Sequence, residues 1–291
     1  MADYSTIKGQ TIQSYASDPK TSVAGGGVWA TVNNLPAAKY AGGSAGTQTS
    51  NLYFGGASAP PANGNQIGTT EEYDGTSWTA GNALTTIRFA LGGIGVANTA
   101  ALAVGGSRSP GSTPQTNVED YDGTSWSAGT ALTTSRGETM GTAGTTTAGL
   151  AFGGWEKPAD TADTELWNGS TWTEKGNLNS ASQALSGVGT STAALAFGGT
   201  PPPTGSTKTE SWDGTSWTNT TDLNTARTWG ASSGNQTAAL YYGGYVSAVI
   251  DNTEYWDGTT WGVGTVLNTA RYQLGGSGAG TNLSALATGG A

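Results

Sequence analysis

The sequence predicts an all-β fold built from one repeated unit of four short strands, on the basis of three observations. A pentapeptide of the form Asp/Asn-Gly-Ser/Thr-Ser/Thr-Trp recurs five times, at intervals of 48, 46, 45 and 44 residues. An apolar run that ends in a glycine pair recurs six times, and no unit contains an amphipathic helical pattern of about 11 residues. Self-similarity at this period is typical of β-propellers and other repeat arrays. The tryptophans of the pentapeptide are Trp78, Trp126, Trp172, Trp217 and Trp261.

Each unit divides into four strands, and the fourth unit shows the division clearly. A glycine-rich stretch at 187–190 is strand 1, and the apolar run at 192–197 is strand 2. Residues 209–212 form strand 3, and strand 4 is centred on Trp217 after the turn at Asp213. An Asp-Gly or Asn-Gly pair between short runs rich in threonine and aromatic residues is the strongest short-range hairpin signal. Four short strands in about 46 residues correspond to one propeller blade.

We expect six such blades and therefore a six-bladed β-propeller of four-stranded antiparallel sheets. There are six glycine pairs but five Asp/Asn-Gly turns, because the chain ends at Ala291 directly after the sixth pair. The N-terminal region supplies the missing half, with a strand 3 at 11–15 and a strand 4 at Trp29. The sixth blade would be shared between residues 1–32 and 268–291, so that hydrogen bonds between the two half-blades close the ring without an exposed sheet edge. All 291 residues would form one domain.

The composition excludes several function classes. The chain contains no histidine and no cysteine, so it has no His-dependent catalytic triad, thiolate nucleophile, disulfide, or metal ligand of either type. Eleven basic residues against 20 acidic ones give a net charge of −9, which does not fit nucleic-acid binding. No stretch approaches the roughly 20 apolar residues of a membrane helix, and no secretory signal is visible. We expect a protein that is not an enzyme and carries no metal or cofactor.

The 48 glycines have a periodic role in this interpretation. The first strands line the narrow axis of the ring, where only small side chains fit, and stretches 91–95 and 187–190 have that composition. Further out the blades diverge, and the repeated tryptophans fill the wedge between neighbouring sheets. Burial of a large apolar side chain contributes about 2–3 kcal/mol, so we expect these tryptophans to provide the main stabilisation.

Charged residues also recur at fixed repeat positions. A basic residue follows a leucine by four positions in five units, and a glutamate lies seven positions before each pentapeptide tryptophan. The fourth unit has Ser182 in place of the base. Two interpretations are open: salt bridges within the scaffold, which we favour, or a ring that binds an anionic sugar or a carboxylate near the axis. The bases are Lys39, Arg88, Arg136, Arg227 and Arg271, and the glutamates are Glu71, Glu119, Glu165, Glu210 and Glu254.

The repeated turn is not expected to be catalytic. It resembles the Asp-box of sialidases, which is itself a structural hairpin. One carboxylate per turn is too few for a calcium site. Glycosidases need two carboxylates, but candidates such as Glu71, Glu72 and Asp74 occupy the ordinary acidic positions of the repeat.

The loops that join strands 2 and 3 offer the best candidate binding surface. They emerge, with the loops that join blades, on one face, which we call the loop face. They vary in length and contain most of the prolines, and variable loops on a rigid scaffold are where binding residues concentrate. Two tryptophans outside the framework, Trp155 and Trp229, could stack on a sugar there, or could belong to the core or to an interface. The candidate ligand-binding set is Lys39, Tyr40, Arg88, Phe89, Arg136, Trp155, Arg227, Trp229, Tyr245, Arg271 and Tyr272.

A glycine pair, an aromatic residue, a tryptophan and a downstream arginine, in this order, resemble the kelch repeat over residues 25–290. The aromatic-to-tryptophan spacing is shorter than usual, and Ser182 lacks the base. The sequence is more similar still to the Gly/Thr/Ala-rich kelch-like proteins of marine bacteriophages. Those open much like STIKGQTIQS at 5–14 and repeat units like LNTAR at 223–227.

This resemblance implies a non-enzymatic structural protein of the virion. The rigid propeller would present its loop face to a host-surface glycan, or to neighbouring capsid or tail subunits or copies of itself. It would be made in the host cytoplasm and reside in the virion, without membrane insertion or contact with nucleic acid. The alternative is a cellular kelch-like lectin or protein-interaction scaffold, and a glycan hydrolase is more remote.

Overall fold

The computed structural model describes residues 27–59, 62, 64–109, 112–200 and 205–291. These residues form five four-stranded antiparallel sheets, in each of which spatial order follows chain order. Blade 1 comprises β1 (Gly43–Gly46), β2 (Asn51–Phe54), β3 (Thr70–Tyr73) and β4 (Trp78–Gly81). Blade 2 comprises β5 (Gly92–Ala97), β6 (Ala100–Val104), β9 (Val118–Tyr121) and β10 (Trp126–Ala128). Blade 3 comprises β11 (Gly141–Thr145), β12 (Ala148–Phe152), β15 (Thr164–Trp167) and β16 (Trp172–Glu174).

The last two complete blades repeat this pattern. Blade 4 comprises β17 (Leu185–Gly189), β18 (Ala194–Gly198), β19 (Thr209–Trp212) and β20 (Trp217–Asn219). Blade 5 comprises β21 (Ala231–Asn235), β22 (Ala238–Tyr242), β25 (Thr253–Trp256) and β26 (Trp261–Val263). In blades 2, 3 and 5 the loop between strands 2 and 3 contains a short two-stranded sheet. These sheets are β7 (Ser107–Arg108) with β8 (Thr113–Pro114), β13 (Trp155–Glu156) with β14 (Ala159–Asp160), and β23 (Tyr245–Val246) with β24 (Ala248–Val249). A further pair, β27 (Gly275–Gly276) and β28 (Ala287–Thr288), follows blade 5.

The prediction of six four-stranded blades is wrong, because the described residues form five. The place between blades 5 and 1 is taken by the two-stranded sheet β27–β28, whose Gly276 carbonyl accepts a hydrogen bond from Ser44 Oγ at 2.7 Å. The predicted pairing of two half-blades is not observed, since Trp29 lies in no strand and residues 11–15 lie outside the described residues. Five Asp/Asn-Gly turns give five hairpins between strands 3 and 4, and the segment after β28 has no such turn. The single domain of 291 residues stays a prediction.

Trp29 nevertheless packs against blade 5. Its ring centroid lies 4.9 Å from that of Tyr242, and its Nε1 donates to the carbonyl of Thr265 at 3.0 Å. Trp217 packs on Phe152 in the same way, with ring centroids 4.7 Å apart. A side chain, rather than a strand, therefore joins the N-terminal part of the described chain to blade 5.

The core lies between neighbouring blades. The aromatic ring of a second strand contacts the fourth-strand tryptophan of the next blade, as Phe54 contacts Trp126 at 4.8 Å between centroids. The indole Nε1 of Trp126 donates to Thr70 Oγ1 of blade 1 at 2.8 Å, so the buried polar atom of the ring is satisfied. The predicted wedge of tryptophans is present at this junction and recurs in the contact between Phe197 and Trp261.

Small residues line the axis, as predicted, around a cavity of about 280 Å³. At one level of the first strands, residues with a hydroxyl group alternate with glycines around the ring. Each hydroxyl donates to the carbonyl of the glycine on one side, at 2.7–3.0 Å, and each glycine approaches the backbone on its other side too closely for a Cβ atom. The order around the axis is Ser44, Gly93, Thr142, Gly187, Ser232 and Gly276.

A closed ring of backbone hydrogen bonds surrounds the axis at the entry to the first strands. Six non-glycine residues there have φ between 51° and 55°, a left-handed conformation that costs roughly 1–2 kcal/mol each. Each donates its N–H to the carbonyl of the equivalent residue in the neighbouring unit, at 2.7–3.0 Å. The cycle fixes the loops from which the loop-face side chains project. Its members are Ala41, Ala90, Thr139, Ala184, Trp229 and Gln273.

Candidate functional site

Four of the five repeated bases form buried ion pairs with the glutamate on strand 3 of the same blade. These side chains are at most 6% exposed. The scaffold interpretation of these bases is therefore confirmed, and the four side chains do not reach the loop surface. The pairs are Lys39–Glu71, Arg88–Glu119 at 2.9 Å, Arg136–Glu165 at 3.0 Å and Arg227–Glu254 at 3.1 Å.

The Leu-x-x-x-base segment surrounds the glutamate carboxylate with hydrogen-bond donors. In blade 2 the Glu119 carboxylate accepts hydrogen bonds from the backbone N–H groups of Thr85 at 2.6 Å and Thr86 at 3.2 Å, and from Arg88 Nη2 at 2.9 Å. Burial lowers the pKa of the Arg88 guanidinium, and the Glu119 carboxylate opposes that shift. Neutral and charged donors together compensate the desolvated carboxylate.

Three aromatic residues of the candidate set meet on the loop face. The ring centroid of Trp229 lies 6.2 Å from that of Tyr245 and 6.1 Å from that of Tyr272, and the two tyrosine rings are 5.8 Å apart. The rings are inclined to one another by 54–64°, and all three residues are partly exposed. We call this group the aromatic cluster.

Three separate loops supply the aromatic cluster. Trp229 precedes blade 5, Tyr245 begins β23, and Tyr272 precedes β27. The backbone of Tyr245 is paired with that of Thr228 by two hydrogen bonds of 2.9 and 3.1 Å, and Tyr272 is paired with Ala291 by two of 3.0 Å. Hydrogen bonding between loops therefore brings together residues that are distant in sequence.

The cluster contains one unsatisfied donor. The Trp229 Nε1 atom is buried and has no hydrogen-bond partner among the described residues. Buried polar atoms in proteins are nearly always paired, so this unpaired N–H carries a desolvation cost within the cluster. Tyr40 is buried near Tyr272, and burial followed by the charge of Tyr272 raises the pKa of the Tyr40 hydroxyl.

The remaining members of the candidate set lie elsewhere. Phe89 is buried, with 4% of its surface exposed. Trp155 is partly exposed but lies in β13 of blade 3, two blades from the cluster. Arg271 has no ion-pair partner in the described part of the chain; its Nη1 donates to the Gly289 carbonyl at 3.1 Å, and burial lowers the pKa of its guanidinium. Its side chain faces a groove of about 560 Å³ between residues 28–35 and β28.

Within the described residues, no three or more acidic side chains are grouped in a way that could hold a metal ion. No helix in the same ranges is long and apolar enough to cross a membrane.

The fold places the protein in the class of β-propellers, with five four-stranded blades. Comparison with known proteins finds no matching protein-family model and no matching curated protein. The comparisons therefore add no support to the resemblance to kelch repeats or to bacteriophage proteins.

Proposed function

We propose that this chain is a non-enzymatic binding protein of a bacteriophage particle and that its loop face attaches to a host-surface glycan. The observation that best supports the proposal is the aromatic cluster of Trp229, Tyr245 and Tyr272. Tryptophan and tyrosine combine a large apolar face with a polar edge. Sugars present C–H faces and hydroxyl rims, which match those two features.

The geometry of the cluster suits a stacked sugar ring. Inclined rings about 6 Å apart form a corner rather than a flat stack, so a ligand can contact two faces at once. The polar edges of the partly exposed Tyr245 and Tyr272 can bond sugar hydroxyls. A small number of placed polar groups within an apolar surface is what orients ligands in protein sites.

The site is also held rigidly before any ligand arrives. Trp229 N donates to the Ala184 carbonyl at 3.0 Å, and its own carbonyl accepts from Gln273 N at 2.8 Å, within the backbone ring around the axis. Rigid binding residues lose little conformational entropy when a ligand binds. Membership of a phage particle is supported by the resemblance at residues 5–14 and 223–227.

A binding titration with host-surface polysaccharide tests the proposal. The change Trp229→Ala should weaken binding at least about tenfold, because it removes a stacking face. Alanine already occupies the equivalent position with the same backbone conformation at Ala41, Ala90 and Ala184, so the variant should fold. Trp155→Ala, which changes a partly exposed tryptophan on another blade, is the matched control and should bind normally.

Three results would contradict the proposal. Equal affinity of the Trp229→Ala variant, Tyr272→Ala variant and unmodified protein would remove the cluster as the binding surface. Proteomics of purified particles that lack this chain would remove the virion assignment. Incubation with the same polysaccharide should leave its chain length unchanged, and shortening would favour the hydrolase alternative.

A further inference from the structure

Blade 4 keeps the buried glutamate of the repeat but lacks the base that neutralises it elsewhere. Glu210 on β19 is 4% exposed, and Ser182 stands where the other four complete blades have lysine or arginine. The described residues provide no ion-pair partner for Glu210. A buried carboxylate without a cation is costly unless other groups compensate it.

Neutral donors compensate Glu210 in part. Its carboxylate accepts hydrogen bonds from Asn179 N and Nδ2, both at 2.8 Å, and from Ser180 N at 3.2 Å. The nearby Lys208 does not supply the missing charge, because its Nζ is paired with Asp222 at 3.1 Å and both side chains are exposed. Glu210 therefore keeps the neutral N–H donors that the glutamates of the other blades have, but it lacks their positively charged partner.

A cavity occupies the place of the missing side chain. Its volume is about 330 Å³, and its lining includes Ser182, Gly198, Lys208 and Glu210. This volume lies within the range of small-molecule sites in proteins. Exposed residues Ser180 and Lys208 are also in the lining, so the cavity opens to solvent.

Blade 3 shows what the same surroundings hold when the base is present. There Arg136 Nη1 donates to the carbonyls of Gly153 at 2.8 Å and Asp163 at 2.7 Å, while Nη2 pairs with Glu165 at 3.0 Å. The two carbonyl residues are themselves joined by a hydrogen bond from Gly153 N to Asp163 O at 3.0 Å.

The corresponding groups of blade 4 are Gly198 and Lys208. They are joined by the same backbone hydrogen bond, from Gly198 N to Lys208 O at 3.0 Å. The cavity of blade 4 thus carries two backbone carbonyls and a carboxylate in the arrangement that binds a guanidinium group in blade 3.

We propose that this cavity binds an alkylguanidinium group supplied from outside the chain, either a small molecule or an arginine side chain of another protein. The bound group would complete the ion pair with Glu210 and donate to the Gly198 and Lys208 carbonyls. Planar guanidinium donors match a carboxylate flanked by carbonyls better than an ammonium group does. The site is independent of the aromatic cluster.

Titration of the full chain with methylguanidinium chloride, followed by ligand-observed NMR, tests the proposal. One saturable site is expected, with weaker binding of methylammonium. Glu210→Gln should weaken methylguanidinium binding at least about tenfold, because it removes the charge-assisted contact. Ser182→Arg should abolish binding and raise the unfolding midpoint, since the new side chain would fill the cavity as Arg136 fills its own.

The chain also offers a matched gain-of-site variant. Arg136→Ser should create a second cavity of the same kind, so that the number of bound methylguanidinium ions rises from one to two. Unmodified protein that binds no methylguanidinium while the Arg136→Ser variant binds one would overturn the proposal, as would unchanged binding by the Glu210→Gln variant. The test with the Glu210→Gln variant can still be made if the Ser182→Arg variant does not fold.

A competition experiment distinguishes the two sources of the guanidinium group. A Gly-Arg-Gly peptide that displaces methylguanidinium would show that an arginine side chain of a protein can enter past Ser180 and Lys208. Binding of methylguanidinium without displacement by the peptide would assign the cavity to small guanidinium compounds. Displacement from the Glu210→Gln variant with unchanged affinity would overturn the assignment to this cavity.

Discussion

Substitution of Gly93 by alanine tests whether the axis of the propeller excludes side chains at its glycine positions. An added Cβ atom would contact Ser44 O and lie 2.7 Å from Ser44 C and 2.9 Å from Ser44 N, all in the backbone of β1. Backbone atoms cannot rotate away as a side chain can. The backbone of Gly93 does not adopt a positive φ, so the cost of alanine there is steric rather than conformational.

The magnitude follows from these distances. Ordinary contacts begin near 3.4 Å, and the contact with Ser44 O is the shortest of the three, so β5 must move away from β1 by about 1 Å, and overpacking of this kind costs roughly 1–3 kcal/mol. The same movement disturbs the 2.8 Å hydrogen bond from Thr142 Oγ1 to the Gly93 carbonyl, which is worth about 1 kcal/mol. We expect the free energy of unfolding to fall by roughly 2–4 kcal/mol.

Urea unfolding followed by tryptophan fluorescence measures the effect. With a slope of about 3 kcal/mol per molar urea, the midpoint should fall by roughly 1 M. Gly68→Ala is the control, because its Cβ would meet Ile87 Cγ1 at 3.3 Å, and that half-exposed side chain can move. Its midpoint should change by less than about 0.3 M. Equal midpoints for the Gly93→Ala and Gly68→Ala variants would refute the reasoning.

Two further predictions concern the charged groups. Arg136→Met should lower the free energy of unfolding by about 3–5 kcal/mol, because it leaves Glu165 buried without its cation. The double variant Arg136→Met/Glu165→Gln should lose less free energy of unfolding than the sum of the two single changes. Additive losses measured by urea unfolding would contradict the coupling between the two side chains. Backbone N–H groups of the turn, Thr260 first, lower the pKa of Asp257 from 3.8 to about 2. A lowered folded-state pKa stabilises the protein above pH 3.8, and that contribution is lost as the pH falls towards 2. Asn168 accepts the same two turn hydrogen bonds at 2.9 Å without a charge, so Asp257→Asn should keep the turn but lack the contribution of the ionised carboxylate. The variant should therefore be less stable than the unmodified protein at pH 7 and approach it as the pH falls from 4 to 2; parallel pH profiles of the two urea midpoints would contradict this.

Much of the blade could be predicted because it depends on neighbours in sequence. The Asp-Gly turn at Asp213 sets the hairpin between strands 3 and 4 through hydrogen bonds from Thr215 N and Ser216 N to the Asp213 carboxylate, both at 2.8 Å. The repeat positions of Arg88 and Glu119 also predicted their ion pair. These features recur because each unit carries the same local signals.

The candidate site could be predicted only in part. Loop topology predicts that Trp229, Tyr245 and Tyr272 lie on one face, but their contact depends on hydrogen bonds between loops. The candidate set includes four bases that are buried in the structure, because the sequence does not show burial. The sequence shows that Ser182 replaces the base of the repeat. It does not show the cavity beside Glu210, because the cavity exists only if the surrounding backbone keeps the position that it has in the other blades.

The sequence by itself determined the repeated strands, the turns between them, the small residues on the axis and the repeat positions of the bases and glutamates. The tertiary structure decided the number of complete blades, the alternation of hydroxyl groups and glycines around the axis, and the meeting of three aromatic rings. Local signals act through residues a few positions apart and repeat identically. The closing of the ring instead depends on contacts such as that between Trp29 and Tyr242, whose strength depends on side-chain packing across more than 200 residues of chain. The repeated sequence therefore predicts the four-stranded blade well. The number of complete blades and the aromatic cluster depend instead on contacts between distant parts of the described chain.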